Sequence, residues 1–129
     1  MIIAIAGVFF LLHGLVHLLY LGQSARLFEL QPGMLWPDES WAFSKLLGQD
    51  GTRRLASFAC ILAAAGFVLG SAGIFFNLAW WRMAVLASAV FSAILYFLFW
   101  NGRAQHLANQ GGIGILIDAA ILIAVFVGW

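Results

Sequence analysis

Charged residues are scarce in this sequence, and their scarcity decides the class of protein. They make up 9% of the 129 residues, against 64% hydrophobic residues and a mean hydropathy of +1.02. Soluble domains carry about 25% charged residues, so a surface of this composition would aggregate in water. Long apolar runs also leave no room for a soluble domain of usual size. We therefore expect a single membrane-embedded domain over residues 1–129.

Cysteine pairs and a strong net charge are missing as well. Cys60 is the single cysteine, which excludes a disulfide within the chain and paired-thiol redox chemistry. We interpret it as a small buried apolar side chain. Six basic and five acidic residues leave a net charge of +1. Phosphate binding needs a clustered basic face, so nucleic acid is not an expected partner.

Long uncharged runs recur along the chain. A helix needs about 20 apolar residues to cross a hydrocarbon core of about 30 Å, and four windows meet or nearly meet this length: 1–21, 55–76, 78–100 and 113–129. In lipid a helix satisfies its own backbone hydrogen bonds, and short connections force antiparallel neighbours. The predicted fold is all-α, a polytopic membrane protein with four transmembrane helices in an antiparallel up-and-down bundle.

Small residues recur inside these windows at the spacing of close helix contacts. Gly66 and Gly70 form a GxxxG pattern, and Ser88 and Ser92 repeat the same spacing. We expect these residues to pack the helices of the bundle against one another.

One connection, residues 22–52, is much longer than the other two and is punctuated by glycine and proline. Within it, the segment 37–47 begins with proline and acidic residues and ends before Gly48, which is typical of a short capped helix. Tryptophan and leucine side chains in this segment predict that the helix lies along the membrane interface.

Basic residues predict the orientation of the bundle. Five of them lie on the side of the long loop and the third connection, 101–112, and Arg82 alone lies near the opposite surface: the five are Arg26, Lys45, Arg53, Arg54 and Arg103. Positive charge near helix ends marks the cytoplasmic side. We therefore expect both of these loops in the cytoplasm and both termini outside.

Six residues at the ends of the predicted helices are candidate interface anchors: Arg53, Arg54, Arg82, Trp80, Trp81 and Trp100. The tryptophans of the third helix are separated by about 30 Å on helical rise, so they mark both membrane edges, and Trp129 is expected at the edge of Trp80. The arginines extend their charged ends into the headgroup region. Arg53 and Arg54 could alternatively hold an anionic lipid.

Polar side chains inside the apolar runs are the candidate functional residues. His13, His17 and Tyr20 are spaced by three and four residues and share one face of the first helix. Asp118 lies inside the fourth helix, about 10 Å below the surface on helical rise. The first and fourth helices of a cyclic bundle are neighbours, so we expect Asp118 to face His13 or His17. The predicted rim of this cluster consists of Ser57, Tyr96 and His106.

Asp118 is the most informative of these residues. An ionised carboxylate at that depth costs about 2.5–3.5 kcal/mol on insertion scales and usually faces a partner or a wet cavity. The functional hypothesis is a polar pocket for a proton, a quinone-like or lipid-derived head group, or a metal. The structural alternative is a hydrogen-bonded knot that fixes helix packing. Two histidines without a third ligand, HExxH or CxxC do not predict a metal site, and the sequence identifies neither a catalytic residue nor a cofactor.

Two segments and the order of the helices carry a family resemblance. The segments are HGLVHLLYLG, at the end of the first helix, and GIGILID, late in the chain. Together with the tryptophan-containing loop and the four apolar runs, they resemble small bacterial inner-membrane proteins grouped as DoxX-like. The resemblance covers most of the chain at the level of topology. It implies a multi-pass protein of the inner (plasma) membrane with an accessory role in redox or respiratory membranes.

The polar cluster supports two hypotheses of function. In the first, a non-enzymatic binding or accessory protein holds a lipid-soluble small molecule, or docks a larger membrane complex, in the lipid bilayer. In the second, Asp118 and the histidines are the titrating relay of a proton-coupled carrier or channel. Four helices are too few for an inverted-repeat transporter in one chain, so the second hypothesis requires an oligomer. A membrane enzyme with His13 or His17 as general base is least favoured, because no companion groups accompany it.

Overall fold

The computed structural model describes residues 1–128, and within that range it contains helices, turns and loops but no strand. The long helices of this described part are α1 Ile2–Ser24, α2 Ser44–Phe75, α3 Trp81–Phe99 and α4 Ile113–Phe126. A short 3-10 turn, Ala104–His106, and a wider π-helical turn, Ala108–Gly112, precede α4. The predicted all-α fold with four helices is confirmed.

The helices have the length and composition of membrane spans. Four segments of the described chain qualify, with α4 counted together with the wide turn before it as Ala108–Phe126. Their outward faces are apolar; on α1, for example, Leu12, Leu15 and Leu19 are exposed. A soluble bundle would place polar side chains at such positions. The four helices therefore indicate a multi-pass membrane protein.

Helix boundaries differ most from expectation in the long loop. The segment 37–47, predicted as a short helix, consists of turns as far as Phe43, and helical backbone begins at Ser44. Hydrogen bonds to the end of α3 compete with helix formation here: the Ser40 hydroxyl donates to the Leu98 carbonyl (2.6 Å), and the Trp41 N–H donates to the carbonyl of Trp100, just after α3 (2.9 Å). α2 thus starts at Ser44, earlier than predicted.

Glycine interrupts α2 near its start. At Gly48 the backbone leaves the helical conformation, with φ 69° and ψ −179°, values that favour glycine because it has no Cβ. The fourth helix was predicted over 113–129, but α4 ends at Phe126: residues 127–128 form a turn in which Gly128 has φ 98°, and Trp129 lies outside the described residues. α1 continues to Ser24, so the long loop spans 25–43.

Each helix packs against the next one in the chain through small residues. A Cβ on Gly14 of α1 would lie 2.8 Å from the Phe67 Cβ of α2, and a Cβ on Gly70 of α2 would lie 2.5 Å from Val85 of α3. Backbones approach this closely only where side chains are missing. α1 and α4, by contrast, have far fewer close backbone approaches. Their contact is made by side chains.

The bundle contains two apolar cores along its length. The core nearer the termini is built from Phe10, Phe67, Trp81, Val85 and Ile121 with their neighbours. The core nearer the long loop is built from Trp36, Cys60, Leu95, Tyr96 and Phe99 with theirs. Cys60 is buried in this second core, as expected of a small apolar side chain. Between the two cores lies a layer that is polar.

A buried ion-pair cluster fastens the long loop to the helix ends. The Asp38 carboxylate is 6% exposed and accepts two hydrogen bonds of 2.6 Å from Arg53, one from Nε and one from Nη2. Arg26 Nη2 lies 2.6 Å from the same carboxylate. Burial alone would raise the pKa of Asp38, but the hydrogen bonds from Arg53 and Arg26 outweigh burial and lower that pKa below its ordinary value.

The Gln23 side chain also binds the long loop, through hydrogen bonds to the loop backbone. Gln23, at the end of α1, is fully buried and donates to the carbonyls of Met34 (2.9 Å) and Trp36 (3.3 Å). Its side-chain oxygen accepts from the Leu30 N–H at 2.8 Å. These bonds hold the loop down over the end of the bundle, which places Trp36 in the core beneath it.

Candidate functional site

Four polar side chains form the layer between the two cores. His13 and His17 come from α1, Ser92 from α3 and Asp118 from α4. His13 is 4% exposed, and the other three are fully buried. His13 lies eleven residues from either end of α1, so the layer is at the middle of the span. A polar group at that depth is costly unless it is paired.

His13 and Asp118 bridge the first and fourth helices. His13 Nε2 lies 2.7 Å from Asp118 Oδ1, a distance typical of a hydrogen bond with an ionised partner. The structure therefore brings together the two residues for which the sequence predicted a contact. The backbones of α1 and α4 make few close approaches, and this bond links their side chains.

His17 is held in one orientation by two hydrogen bonds. Its Nδ1–H donates to the His13 carbonyl at 3.0 Å; a carbonyl can only accept, so the Nδ1 atom carries the hydrogen. Its Nε2 lies 2.7 Å from the Ser92 hydroxyl, which donates to it when the ring is neutral. Ser92 also lies close to the Asp118 carboxyl group. Histidine, serine and aspartate thus form one connected set.

Two buried polar atoms next to this set have no hydrogen-bond partner among the described residues. They are Asp118 Oδ2, an acceptor, and the Tyr96 hydroxyl, which can donate. Buried polar groups are almost always paired, and an unpaired one costs about 1–3 kcal/mol. These two atoms leave hydrogen-bonding capacity unused beside the polar layer.

Tyr96 reaches this position because α4 presents glycine to it. A Cβ on Gly114 would lie 2.7 Å from Tyr96 Cε2, and Gly111, with φ +104°, also faces the ring. Gly114 is one helical turn before Asp118, and the Tyr96 hydroxyl is near enough to interact electrostatically with the Asp118 carboxyl. The other face of the ring stacks on His17, with centroids 5.2 Å apart. Tyr96, predicted at the rim, is therefore part of the site.

Tyr20 lies one step nearer the long loop. Its ring contacts Tyr96 (centroids 4.9 Å apart) and Trp36 (5.0 Å). Its hydroxyl donates to the Asn109 carbonyl at 3.0 Å. Tyr20 therefore does not bond to the histidines or to Asp118; it continues an aromatic column from the site to the loop side.

Two predicted rim residues lie away from the site. Ser57 donates to Ser24 at 3.0 Å, at the loop ends of α1 and α2. The Nδ1 atom of His106 bonds to Asn101 (2.8 Å) in the third connection. The sequence predicted the correct end of the bundle for Ser57 and His106. It did not predict which residues their side chains contact, because that depends on how the surrounding segments pack.

The six predicted interface anchors differ in their surroundings: two are exposed, two are bonded to loop residues, and two contact each other at the start of α3. Trp80 is 46% exposed at a helix end and Arg54 is exposed as well. Trp100 donates its indole N–H to the Arg103 carbonyl at 3.0 Å, and Arg53 binds Asp38. Trp81 is instead buried in the core nearer the termini, because Gly73 leaves space for it; the Arg82 guanidinium lies 5.1 Å from its ring centroid.

The chemistry open to the site follows from its donors and acceptors. It can hold a proton between His13 and Asp118, accept a hydrogen bond at Asp118 Oδ2 and donate one from Tyr96. In residues 1–128, no group of three or more histidine, cysteine, aspartate or glutamate side chains is placed to hold a metal ion. The site is therefore described by its hydrogen bonds alone.

Comparisons of the chain with protein-family models, with curated proteins and with solved structures found no match. The site must accordingly be interpreted from its own geometry.

Proposed function

We propose that this protein is a binding or accessory membrane protein, and that the layer formed by His13, Tyr96 and Asp118 receives the polar group of a lipid-soluble small molecule. The observation that carries the proposal is the pair of buried, unpartnered atoms, Asp118 Oδ2 and the Tyr96 hydroxyl. A guest that bonds to both recovers the free energy lost by leaving them unpaired.

Asp118 Oδ2 and the Tyr96 hydroxyl together favour a ligand that carries a hydroxyl group. Asp118 Oδ2 needs a donor when the carboxyl is ionised, and the Tyr96 hydroxyl has a hydrogen to donate. A hydroxyl donates one hydrogen bond and accepts another, whereas an ether or a ketone only accepts. The proposed ligand is therefore an apolar molecule with an alcohol, phenol or quinol-type hydroxyl.

The route to the site is the contact between α1 and α4. Other neighbouring helices interlock through glycine, but α1 and α4 are joined by side chains such as His13 and Asp118. The outer surfaces of both helices are apolar: Leu12 and Leu116 are exposed. A hydrophobic ligand in the bilayer can approach this seam without crossing water.

The same proposal includes the cellular setting expected from the sequence. The DoxX-like resemblance suggests the inner (plasma) membrane of a bacterium and an accessory role beside a larger membrane complex. The bundle then has loops 22–52 and 101–112 in the cytoplasm. Support for this orientation is the excess of basic residues on those loops.

Paired probes test the proposal. The protein in mild detergent is titrated with 4-nonylphenol and with its methyl ether, which cannot donate a hydrogen bond. Loss of a hydrogen bond to a charged group costs about 1.5–3 kcal/mol, so the phenol is expected to bind at least about tenfold more tightly. The preference should largely disappear in Asp118→Asn, and Tyr96→Phe should weaken both probes.

The matched control is Tyr20→Phe, which removes a neighbouring hydroxyl whose partner is a backbone carbonyl. This variant is expected to keep the preference for the phenol. Equal affinity of the wild type for phenol and ether would refute the proposal. Proton flux into liposomes that Asp118→Asn abolishes would instead assign the site to the proton-relay function.

A further inference from the structure

A second cavity lies outside the site, between the long loop and the third connection. Its volume is about 320 Å³, at the lower end of the roughly 300–1,000 Å³ typical of ligand pockets. Charged groups of both signs line it, Glu39 and Arg103, together with His106 and the side-chain amides of Gln31 and Asn109. A cavity with one carboxylate and one guanidinium suits a ligand that carries both charges.

Tryptophans place this cavity at the depth of lipid headgroups. Trp41 follows Glu39 by two residues and donates its indole N–H to the Phe97 carbonyl (2.7 Å) at the end of α3. Trp100 precedes Arg103 by three residues and donates to the Arg103 carbonyl. Tryptophan is enriched where the hydrocarbon meets the headgroups, so Glu39 and Arg103 lie at or just beyond that boundary.

Hydrogen bonds hold the walls of the cavity together. Gln31 of the long loop donates to Asn109 of the third connection at 3.0 Å. Asn101 donates to His106 Nδ1 (2.8 Å) while its own oxygen accepts the Arg103 N–H (2.9 Å). Because His106 Nδ1 accepts, the hydrogen of the neutral ring is on Nε2, where it can be donated to a ligand.

We propose that this cavity binds a phospholipid headgroup that contains a phosphate and a primary ammonium, as in phosphatidylethanolamine. Arg103 and His106 donate to the phosphate oxygens, and Glu39 accepts from the ammonium. The proposal concerns a different site from the intramembrane layer and does not depend on the proposed function.

Charge and hydrogen-bond capacity distinguish this ligand from other lipids. A headgroup with a net negative charge would place an anion beside Glu39 without a compensating cation. A trimethylated headgroup keeps the positive charge but has no N–H to donate to the carboxylate. The primary ammonium, with three N–H donors, satisfies Glu39 directly.

The test compares lipids that differ in one property. The full chain is reconstituted in nanodiscs containing equal parts of phosphatidylethanolamine, phosphatidylcholine and phosphatidylglycerol, and the lipids retained after transfer to detergent are counted by native mass spectrometry. The ethanolamine lipid is expected to be retained about tenfold over the choline lipid, equivalent to about 1.4 kcal/mol. Glu39→Gln should abolish that preference, and Arg103→Gln should reduce retention of all three lipids.

One acidic and one basic residue outside the cavity are replaced as controls. Asp50→Asn and Lys45→Gln change exposed charges in α2 and should leave the preference unchanged. Equal retention of ethanolamine and choline lipids by the wild type, stronger retention of phosphatidylglycerol, or an undiminished preference in Glu39→Gln would each overturn the proposal. Soluble glycerophosphoethanolamine at the same concentration as the lipid separates the two sources of this chemistry: full displacement of the lipid would overturn the proposal in favour of a water-soluble ligand, and retention of the lipid supports the membrane lipid.

Discussion

Two buried aspartates in this protein have contrasting surroundings at the scale of single residues. Asp38 accepts hydrogen bonds from two arginines that occupy both of its oxygens. Asp118 is bonded to His13 at one oxygen, and its second oxygen has no hydrogen-bond partner among residues 1–128. Fully paired buried groups make a core rigid, whereas an unpaired buried oxygen costs free energy until a donor reaches it. We therefore expect Asp38 to contribute to stability, whereas the proposed function rests on Asp118.

Replacing Asp38 by asparagine is expected to destabilise the protein by about 1–3 kcal/mol, because Arg26 and Arg53 lose their charged partner. Breaking a fully buried ion pair costs about 3–5 kcal/mol. The expected loss is smaller here because both arginines are partly exposed. The measurement is thermal unfolding in detergent. Asp50→Asn, which alters an exposed carboxylate, is the control and should have little effect.

The pH dependence of stability should follow from the same residue. The pKa of Asp38 is lowered in the folded protein from an ordinary value of 3.8, so its contribution is complete above about pH 4 and is lost as pH falls through the folded pKa. Unfolding temperature in detergent should therefore decrease below about pH 4 more steeply in the wild type than in Asp38→Asn. Identical slopes for the two proteins would contradict this assignment.

Successive helices and the α1–α4 pair are joined in different ways at the scale of elements. Gly14, Gly66 and Gly70 let neighbouring helices approach closely, and this packing is not sensitive to protonation. The α1–α4 seam relies on the bond between His13 and Asp118. Under the proposed function, a proton or a ligand would act on this bond.

Gly14→Ala should disrupt the packing of α1 on α2. The added Cβ would lie 2.8 Å from the Phe67 Cβ, an atom that cannot move without its backbone. Overpacking of this kind costs about 1–3 kcal/mol, measured as a lower unfolding temperature in detergent. Val16→Ala, which shortens an exposed side chain on the same helix, is the control and should change stability by about 0.5 kcal/mol or less. A Gly14→Ala protein as stable as Val16→Ala would show that the contact relaxes freely.

The whole molecule has its long loop and third connection at one end and the α2–α3 turn at the other. Orientation in the membrane can be measured with single cysteines in a Cys60→Ala background. A cysteine replacing the exposed Gln105 should react with an impermeant maleimide after the membrane is permeabilised, and one replacing the exposed Asn77 should react in intact cells. The reverse pattern would show that basic residues do not set the orientation.

Much of the fold was predictable because the deciding signals are local. Apolar runs near the thickness of a bilayer gave the four helices, and glycine and serine spacing indicated which residues pack closely. The shared face of His13 and His17 follows from helical periodicity alone. The turns over residues 37–43 were not predictable, because two of their hydrogen bonds go to distant carbonyls at the end of α3 and just after it.

Sequence alone determined which four segments are long and apolar enough to cross a membrane and which residues within them are polar, since these properties depend on composition and on neighbours within a few turns. Tertiary structure decided which partners meet: the sequence left Asp118 facing His13 or His17, and in the fold it bonds to His13. His13 and Asp118 are 105 positions apart, the two arginines that surround Asp38 come from different elements, and the headgroup-level cavity forms between separate loops. Contacts through space depend on how the helices pack, and no local pattern encodes that packing.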